Sequence, residues 1–272
     1  MEHKEKIIGI VGGMGPQSGL ALYQSILYHT PALIDQHHLS VILMSFPGHI
    51  GDRTAFLEGE IAENPAYNIV KIITKLEQAG ASIIGLACNT SYSAKIYQVI
   101  LKELEDLKSQ VTLLNMPVES CRYISENHPA VRRIGLMTTN GTYHSNVYKD
   151  LLEQIGYEVI IPDIKFQHEI IHRIIYDPEF GVKSNTEYIT EQARSLTNIA
   201  LCYFKENNAE AVILGCTELS LVISDQLVKG MLMIDSTAAM AKALIREATL
   251  TPENTDILKL IAGVQPDRLV NL

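Results

Sequence analysis

The stretch Ala81-Ser-Ile-Ile-Gly-Leu-Ala-Cys88-Asn-Thr90 has a close counterpart in Ala209-Glu-Ala-Val-Ile-Leu-Gly-Cys216-Thr-Glu218. In each stretch an apolar run ends at a cysteine, and polar residues follow it. The two cysteines are 128 residues apart. A second pair of segments, around Gly9 and Gly135, repeats at an interval of 126 residues. The chain therefore carries one structural unit twice, with a thiol at the same place in each copy.

Strand-like and helix-like segments alternate along both copies. Short β-branched runs, such as residues 6–11 and 82–87, predict buried strands, and segments with helical spacing, such as residues 64–79, lie between them. This alternation predicts an α/β protein with two similar, pseudo-symmetric α/β domains and mainly parallel sheets. Ligands of such sheets bind beyond the carboxyl ends of the strands, where both cysteines lie. The active site is therefore expected in the cleft between the domains.

The repeat also predicts where the domains divide. We expect an N-terminal domain of residues 1–117 plus 237–272, and a second domain of residues 118–236. The last segment, from Thr237, has helical spacing and is expected to pack back on the first domain. The chain would then cross twice between the domains.

Composition and charge narrow the class of protein. The 272 residues are 47% hydrophobic and 19% charged, as in a soluble globular protein. A formal net charge of −9 disfavours nucleic acid and anionic membranes as partners. No apolar run approaches the length of a membrane span, and four cysteines are too few for a disulfide scaffold. These features predict a cytoplasmic protein with free thiols.

Cys88 and Cys216 are the candidate catalytic residues. A single buried cysteine is most often a packing residue, and Cys121 and Cys202, which lack the polar turn, are expected to pack on helix faces. The repeat favours chemistry for the first pair. A thiol that removes a proton from carbon needs a pKa lowered toward neutrality, which helix N-termini and neighbouring cations provide.

Polar side chains beside the two cysteines could assist that chemistry. Asn89, Thr90 and Thr217 offer hydrogen-bond donors, and Glu218 could orient a proton. Thr139 lies in the turn of the second copy that corresponds to the glycine-rich turn of the first.

The segment His168-Glu-Ile-Ile-His172 matches the His-Glu-x-x-His pattern of zinc peptidases. On a helix the two imidazoles would share one face, and Glu187 or Glu191 would have to supply a third ligand. The pattern has only three fixed positions, and a duplicated α/β layout does not suggest a peptidase. We therefore predict no metal site.

Three loops carry groups that could bind an anion. The turn Gly12-Gly-Met14-Gly15 precedes a predicted helix, so its amides could bind a carboxylate, although a plain tight turn explains the glycines equally well. Arg53 could bind a carboxylate bidentately, but an ion pair at the surface is the more ordinary expectation for it. Lys183 would ordinarily be expected to lie exposed.

Taken together, these segments resemble the cofactor-independent aspartate/glutamate racemase family. The resemblance rests on Ala87-Cys-Asn-Thr90 and Gly215-Cys-Thr-Glu218, with support from Ile8 to Pro16, Asp35-Gln-His-His38, Asp52-Arg-Thr54, Thr139-Asn-Gly-Thr142 and Val182-Lys183. It implies two α/β domains in a homodimer, with neither pyridoxal phosphate nor metal. Cys88 and Cys216 would exchange protons with opposite faces of the substrate α-carbon. The substrate-binding residues would be Met14, Asp52, Arg53, Thr54, Asn89, Thr90, Ser91, Thr139, Lys183, Thr217 and Glu218.

The resemblance predicts an enzyme that interconverts the L and D forms of aspartate or glutamate. Within the same superfamily, a cis–trans isomerase or decarboxylase of a small dicarboxylate is an alternative, and a non-catalytic amino-acid-binding protein is another. Two positions depart from the family pattern: Tyr92 stands where histidine is common, and Gly19 where threonine is common. Both leave the choice of substrate open.

Overall fold

The computed structural model describes residues 6–185 and 187–250, and it contains two separate β-sheets. The strands are β1 (Ile7–Gly12), β2 (Val41–Ser45), β3 (Ala81–Leu86), β4 (Thr112–Leu113), β5 (Arg133–Thr138), β6 (Glu158–Ile160), β7 (Ala211–Gly215), β8 (Leu227–Val228) and β9 (Met231–Asp235). The first sheet has the order β2-β1-β3-β4, and the second has the order β6-β5-β7-β9-β8. All neighbouring strands are parallel except β8 and β9. The predicted α/β class with mainly parallel sheets is confirmed.

Helices connect the strands of both sheets. They are α1 (Pro16–His29), α2 (Arg53–Glu58), α3 (Ala66–Gln78), α4 (Ala94–Asp106), α5 (Met116–Asn127), α6 (Asn140–His144), α7 (Val147–Gln154), α8 (Ile164–Phe166), α9 (Arg173–Tyr176), α10 (Glu191–Glu206), α11 (Leu219–Val222) and α12 (Ser236–Thr249). Single 3₁₀ turns occur at Asp35–His37, Pro47–His49 and Asn89–Tyr92, and Gln167–His172 forms a π-helical turn. None of the described helices is long and apolar enough to cross a bilayer.

The two sheets repeat one arrangement. In each, the first strand of the copy lies between the second and the third, so β1 and β5 correspond, as do β3 and β7. The paired glycines of the sequence serve the same purpose in both sheets. A Cβ on Gly9 would lie 2.5 Å from Ile84 Cδ1, and one on Gly135 would lie 2.5 Å from Phe204 Cδ1. Each glycine therefore lets large apolar side chains pack directly onto the central strand.

The last helix returns to the first sheet. Met240 and Leu244 of α12 belong to the same buried cluster as β1 and β3, and a Cβ on Gly85 would lie 3.0 Å from both side chains. Helix α12 also contacts α1 and α5. Residues 1–5 and 251–272 of the expected N-terminal domain lie outside the described residues.

Several elements differ from those expected. Helix α5 and strands β8 and β9 were not anticipated. Helix α10 begins at Glu191, where Thr190 caps it by accepting from Ala193 N. The turn that was expected to contain Thr139 is instead the start of α6, with Thr139 as its N-cap.

Candidate active site

Both candidate catalytic cysteines lie at the carboxyl ends of equivalent strands. Cys88 follows β3 and begins the 3₁₀ turn Asn89–Tyr92, while Cys216 follows β7 directly. Each is only 5% exposed. The other two cysteines lie on helices: Cys121 is buried in α5 and Cys202 is half-buried in α10. The expected positions of all four are thus found.

A carboxylate lies beside the thiol of Cys216. The thiol donates to Glu218 Oε2 over 3.0 Å, and Thr217 Oγ1 lies 3.0 Å from the same oxygen. The other carboxylate oxygen, Oε1, accepts from Ser18 Oγ at 3.1 Å and from Lys183 Nζ at 2.5 Å. Glu218, itself 3% exposed, therefore joins a thiol to an ammonium inside the protein.

Lys183 controls the charge of this cluster. It was expected to lie exposed, but its side chain is 21% exposed and forms an ion pair with Glu218. Burial opposes ionisation of Glu218, yet the Lys183 ammonium holds the pKa of that carboxyl well below its usual range. Burial, and after it the Glu218 carboxylate, raise the pKa of the Cys216 thiol well above its ordinary value. Lys183 lowers this pKa, as expected of a neighbouring cation, but burial and the Glu218 carboxylate outweigh it.

Arg53 is buried beside the other cysteine. It is 6% exposed, in contrast to the surface position expected for it, because the loop after β1 supplies a carbonyl for it. Nη2 donates to Met14 O at 2.8 Å and Nη1 to Gly51 O at 3.1 Å. Nε is buried and has no hydrogen-bond acceptor among the described residues. Burial would lower the pKa of Arg53, but Cys88, Tyr176 and the Asp52 carboxylate raise it above its ordinary value.

The glycine-rich turn lies next to the carboxylate of Glu218. Gly13 has φ +87°, and a Cβ there would lie 2.8 Å from Phe46 N, so a tight turn requires glycine at this position. A Cβ on Gly15, which caps α1, would lie 3.4 Å from Glu218 Oε1. The positive end of the α1 dipole therefore faces the Glu218 carboxylate.

The two halves of the site meet through threonine and asparagine side chains. Thr90 Oγ1 lies 3.0 Å from Thr139 Oγ1 and 3.0 Å from Thr142 Oγ1. Asn89 Oδ1 accepts from Tyr148 OH at 2.5 Å. A Cβ on Gly141 would lie 2.8 Å from Thr90 Cγ2, so the two halves touch without a gap.

The remaining expected site residues lie in the same region. Ser91 is buried, and its hydroxyl donates to Met14 Sδ at 3.3 Å. Thr54 is buried in α2, where its Oγ1 would lie 2.9 Å from a Cβ on Gly141. Asp52 caps α2 by accepting from Ala55 N at 2.9 Å. The structure thus gathers side chains that the sequence spreads over some 200 residues.

Three polar residues of the site were not anticipated. Ser18 lies against Glu218, and Ser236 Oγ accepts from Asn89 Nδ2 at 3.0 Å. Tyr176 donates to Asp52 Oδ2 at 3.0 Å, and its ring lies 5.3 Å from Lys183 Nζ. The sequence signal for Ser18 was its place in the first turn of the helix predicted after the glycine-rich turn.

The two departures from the family pattern are explained by packing. Tyr92 is 2% exposed, its hydroxyl donates to Leu114 O at 3.0 Å, and its ring packs beside Tyr97. It therefore fills the core behind β3. A Cβ on Gly19 would lie 3.1 Å from Gly12 Cα, so glycine lets α1 pack closely against the end of β1.

The histidines of the zinc-like pattern bind protein groups. His168 Nδ1 is 3.0 Å from Asn140 Nδ2, and His172 Nδ1 accepts from Asn140 N at 3.2 Å. Among residues 6–185 and 187–250, no group of three or more His, Cys, Asp or Glu side chains is placed to hold a metal ion.

Comparisons with known proteins find relatives that match most of the chain. The chain is 25% identical over 252 residues to the broad specificity amino-acid racemase RacX of Bacillus subtilis, covering 88% of this chain and 96% of that protein. Its fold matches the aspartate racemase of Picrophilus torridus with a TM-score of 0.71 and 28% identity, covering 92% and 98% of the two chains. An aspartate racemase homologue from Pyrococcus horikoshii matches with a TM-score of 0.65 and 25% identity, covering 91% and 100%.

The family model that matches residues 11–244 is described as Asp/Glu/Hydantoin racemase. Those residues include both strand-end cysteines, Arg53, Lys183 and Glu218, and they span both sheets. The chain therefore belongs to the Asp/Glu/Hydantoin racemase family, whose members share this two-sheet α/β fold.

Proposed function

We propose that this protein racemises a small acidic amino acid, aspartate or glutamate, by proton transfer between Cys88 and Cys216. The proposal rests on one observation: the two thiols have charged neighbours of opposite sign. Cys88 interacts with the buried Arg53 guanidinium, and Cys216 belongs to a chain of contacts through Glu218 to Lys183. Two thiols with such different neighbours are equipped for opposite tasks in one reaction.

The roles follow from the charges around each sulfur. Cys216 holds its proton, because burial and the Glu218 carboxylate raise its pKa, so it starts as the acid. Cys88 is assigned the role of the base, because its charged neighbour is the Arg53 guanidinium. Cys88 takes the proton from Cα, and the electron pair of the broken C–H bond stays on the substrate. Cys216 then protonates the opposite face, so the two sulfurs end with their protonation exchanged.

The hard step is the formation of the carbanion. An α-proton next to a carboxylate is far less acidic than a thiol, so donors aimed at the substrate carboxylate must stabilise the charge by several kcal/mol. The free Nε–H of Arg53 and the Lys183 ammonium are suited to this task. The same two cations favour a substrate with two carboxylates.

The substrate reaches the sulfurs only when the two halves separate. Cys88, Cys216 and Arg53 are 5%, 5% and 6% exposed in the closed arrangement. Closure around the substrate would exclude water and strengthen the charge interactions of the site.

Incubation with the L and D forms of aspartate and glutamate, and with maleate, tests the proposal. Chiral chromatography should show both enantiomers of one acidic amino acid approaching equal amounts. Conversion of maleate alone, or no conversion of any compound, would contradict a racemase of acidic amino acids.

We further propose a cytoplasmic homodimer in which residues 1–117 plus 237–272 and residues 118–236 form the two domains. Support for the dimer comes from large apolar side chains on the surface in the last turn of α1 and just after it: Tyr28, Leu33 and Ile34 are 84%, 96% and 52% exposed. All four cysteines are free, which suits a reducing compartment. Light scattering should give twice the chain mass for the protein and less for Leu33→Asp.

A further inference from the structure

A stack of aromatic rings lies along the segment that the zinc-like pattern occupies. In the π-helical turn Gln167–His172 and helix α9, the rings of His168 and His172 stack with centroids 6.0 Å apart and planes 16° apart. The rings of His172 and Tyr176 stack with centroids 4.7 Å apart and planes 14° apart. Residues four apart share one helix face, and π-helical turns are frequent at functional sites.

Two rings of this stack are bonded to the candidate active site: the middle ring, His172, and the last ring, Tyr176. His172 Nδ1 accepts from the backbone N–H of Asn140, the residue that follows Thr139. Thr139 in turn contacts Thr90, two residues from Cys88. At the end of the stack, Tyr176 OH donates to Asp52 Oδ2. His172 therefore contacts α6 through Asn140 and α9 through Tyr176. These two helices carry the contacts of the second half of the site with Thr90 and Asp52.

The bond to Asn140 fixes the proton of the imidazole. A backbone N–H can only donate, so Nδ1 must carry a lone pair and the ring proton must lie on Nε2. An imidazolium ion has no acceptor and would break this bond. Burial and, after it, the neighbouring His168 lower the pKa of His172 to about 4, and the Asp52 carboxylate, which acts in the opposite direction, offsets them only in part. The ring is consequently neutral at physiological pH.

We propose that His172 is a positioning residue of the racemase: it holds the Thr139–Asn140 turn and the Tyr176 ring in the places that close the site. This role rests on the proposed function. It also gives the His-Glu-x-x-His pattern a task that needs no metal, because both imidazoles hold protein groups. The exposed Glu169 between them takes no part in the stack.

Three variants separate the two contacts of His172. His172→Phe keeps a ring in the stack and removes the acceptor for Asn140 N–H. His172→Asn keeps an acceptor oxygen near the place of Nδ1 and removes the ring. Glu169→Gln is the matched control, since it alters the same pattern at an exposed position.

We expect His172→Phe to lower kcat about tenfold with KM little changed, because a positioned turn affects the transition state more than substrate binding. His172→Asn should recover most of that loss, and Glu169→Gln should match the parent.

A measurement without substrate accompanies the kinetics. Nitrogen-15 NMR of the parent protein should show His172 as the neutral tautomer protonated at Nε2 down to about pH 5. A doubly protonated ring at pH 7 would overturn the positioning role whether or not the variants fold. Equal loss of kcat in His172→Phe and His172→Asn, with an active parent, would also overturn that role alone. A parent protein that exchanges no Cα proton of any acidic amino acid would overturn the proposed function itself.

Discussion

The thiol of Cys216 donates a hydrogen bond to Glu218 over 3.0 Å, and the other oxygen of that carboxylate is bound by an ammonium. The carboxylate is held ionised by Lys183, although it is buried. It therefore stabilises the protonated thiol and opposes the thiolate. Cys88 has an arginine rather than a carboxylate as its charged neighbour. The duplicated fold thus offers two equivalent sulfurs in opposite electrostatic surroundings.

Replacing Glu218 by Gln should make the Cys216 thiol more acidic. The substitution removes the nearby negative charge and leaves Lys183 without its carboxylate, and both changes favour the thiolate. In a Cys88→Ser background, the thiolate absorbance near 240 nm should therefore appear at lower pH than with Glu218 present. In the protein that retains Cys88, Glu218→Gln should lower racemisation at least about tenfold, because the Cys216 thiol loses the group that orients its proton. An unchanged titration would show that Glu218 does not govern this thiol.

Replacing Arg53 by Lys should lower kcat/KM by about 100-fold. Lysine keeps the positive charge, but it cannot bond Met14 O and Gly51 O while it presents a further N–H to a substrate. Loss of one such donor costs about 3 kcal/mol of transition-state stabilisation. Arg194→Lys, an exposed position on α10, is the control and should retain the parental rate. Equal rates for Arg53→Lys and the parent would remove Arg53 from the site.

Replacing Gly141 by Ala should prevent full closure of the two halves. The new Cβ would lie 2.8 Å from Thr90 Cγ2 and 2.9 Å from Thr54 Oγ1. Such overpacking lowers the free energy of unfolding by about 1–3 kcal/mol, unless the two halves move apart. We expect lower activity, together with faster alkylation of Cys88 and Cys216. Gly48→Ala is the control, because its Cβ would meet no atom within 4 Å. Parental alkylation rates in Gly141→Ala would argue against a closed, tightly packed interface.

Acid should destabilise the protein partly through His172. Its folded pKa of about 4 lies below its ordinary value of 6.5, so the unfolded chain takes up this proton first as the pH falls. The free energy of unfolding should therefore decline as the pH falls from 6.5 toward 4, and this contribution is fully present above that window. Urea titrations at pH 7, 5.5 and 4.5 should show a steeper decline for the parent than for His172→Asn. Parallel declines would mean that this ring is not held neutral.

The sequence allowed the fold class and the positions of both thiols to be predicted, because these depend on local patterns. A buried strand followed by a polar turn was visible at residues 81–90 and again at 209–218. Strand β9 was missed because its five residues carry no repeat or turn signal. Helix α5 was missed although Asn115 and Pro117 mark its start. A strand as short as β9 has little periodicity to detect.

The surroundings of the charged residues could not be predicted from the sequence, because distant segments create them. Arg53 is buried because Met14 O, 39 residues away, accepts its hydrogen bond. Lys183 is paired with Glu218, 35 residues away. Tyr176 joins Asp52 across 124 residues. No pattern of spacing reports such contacts, and residue type alone suggested a surface position for both cations.

Deuterium incorporation at Cα in D₂O is the most direct test of two-base transfer. Cys88→Ser and Cys216→Ser should each be incubated with the separate L and D enantiomers of the substrate, with Cys202→Ser, on the face of α10, as the control. We predict that neither single variant racemises, that each exchanges the α-proton of at most one enantiomer, and that the two variants favour opposite enantiomers. Racemisation at the parental rate by both variants would contradict the account.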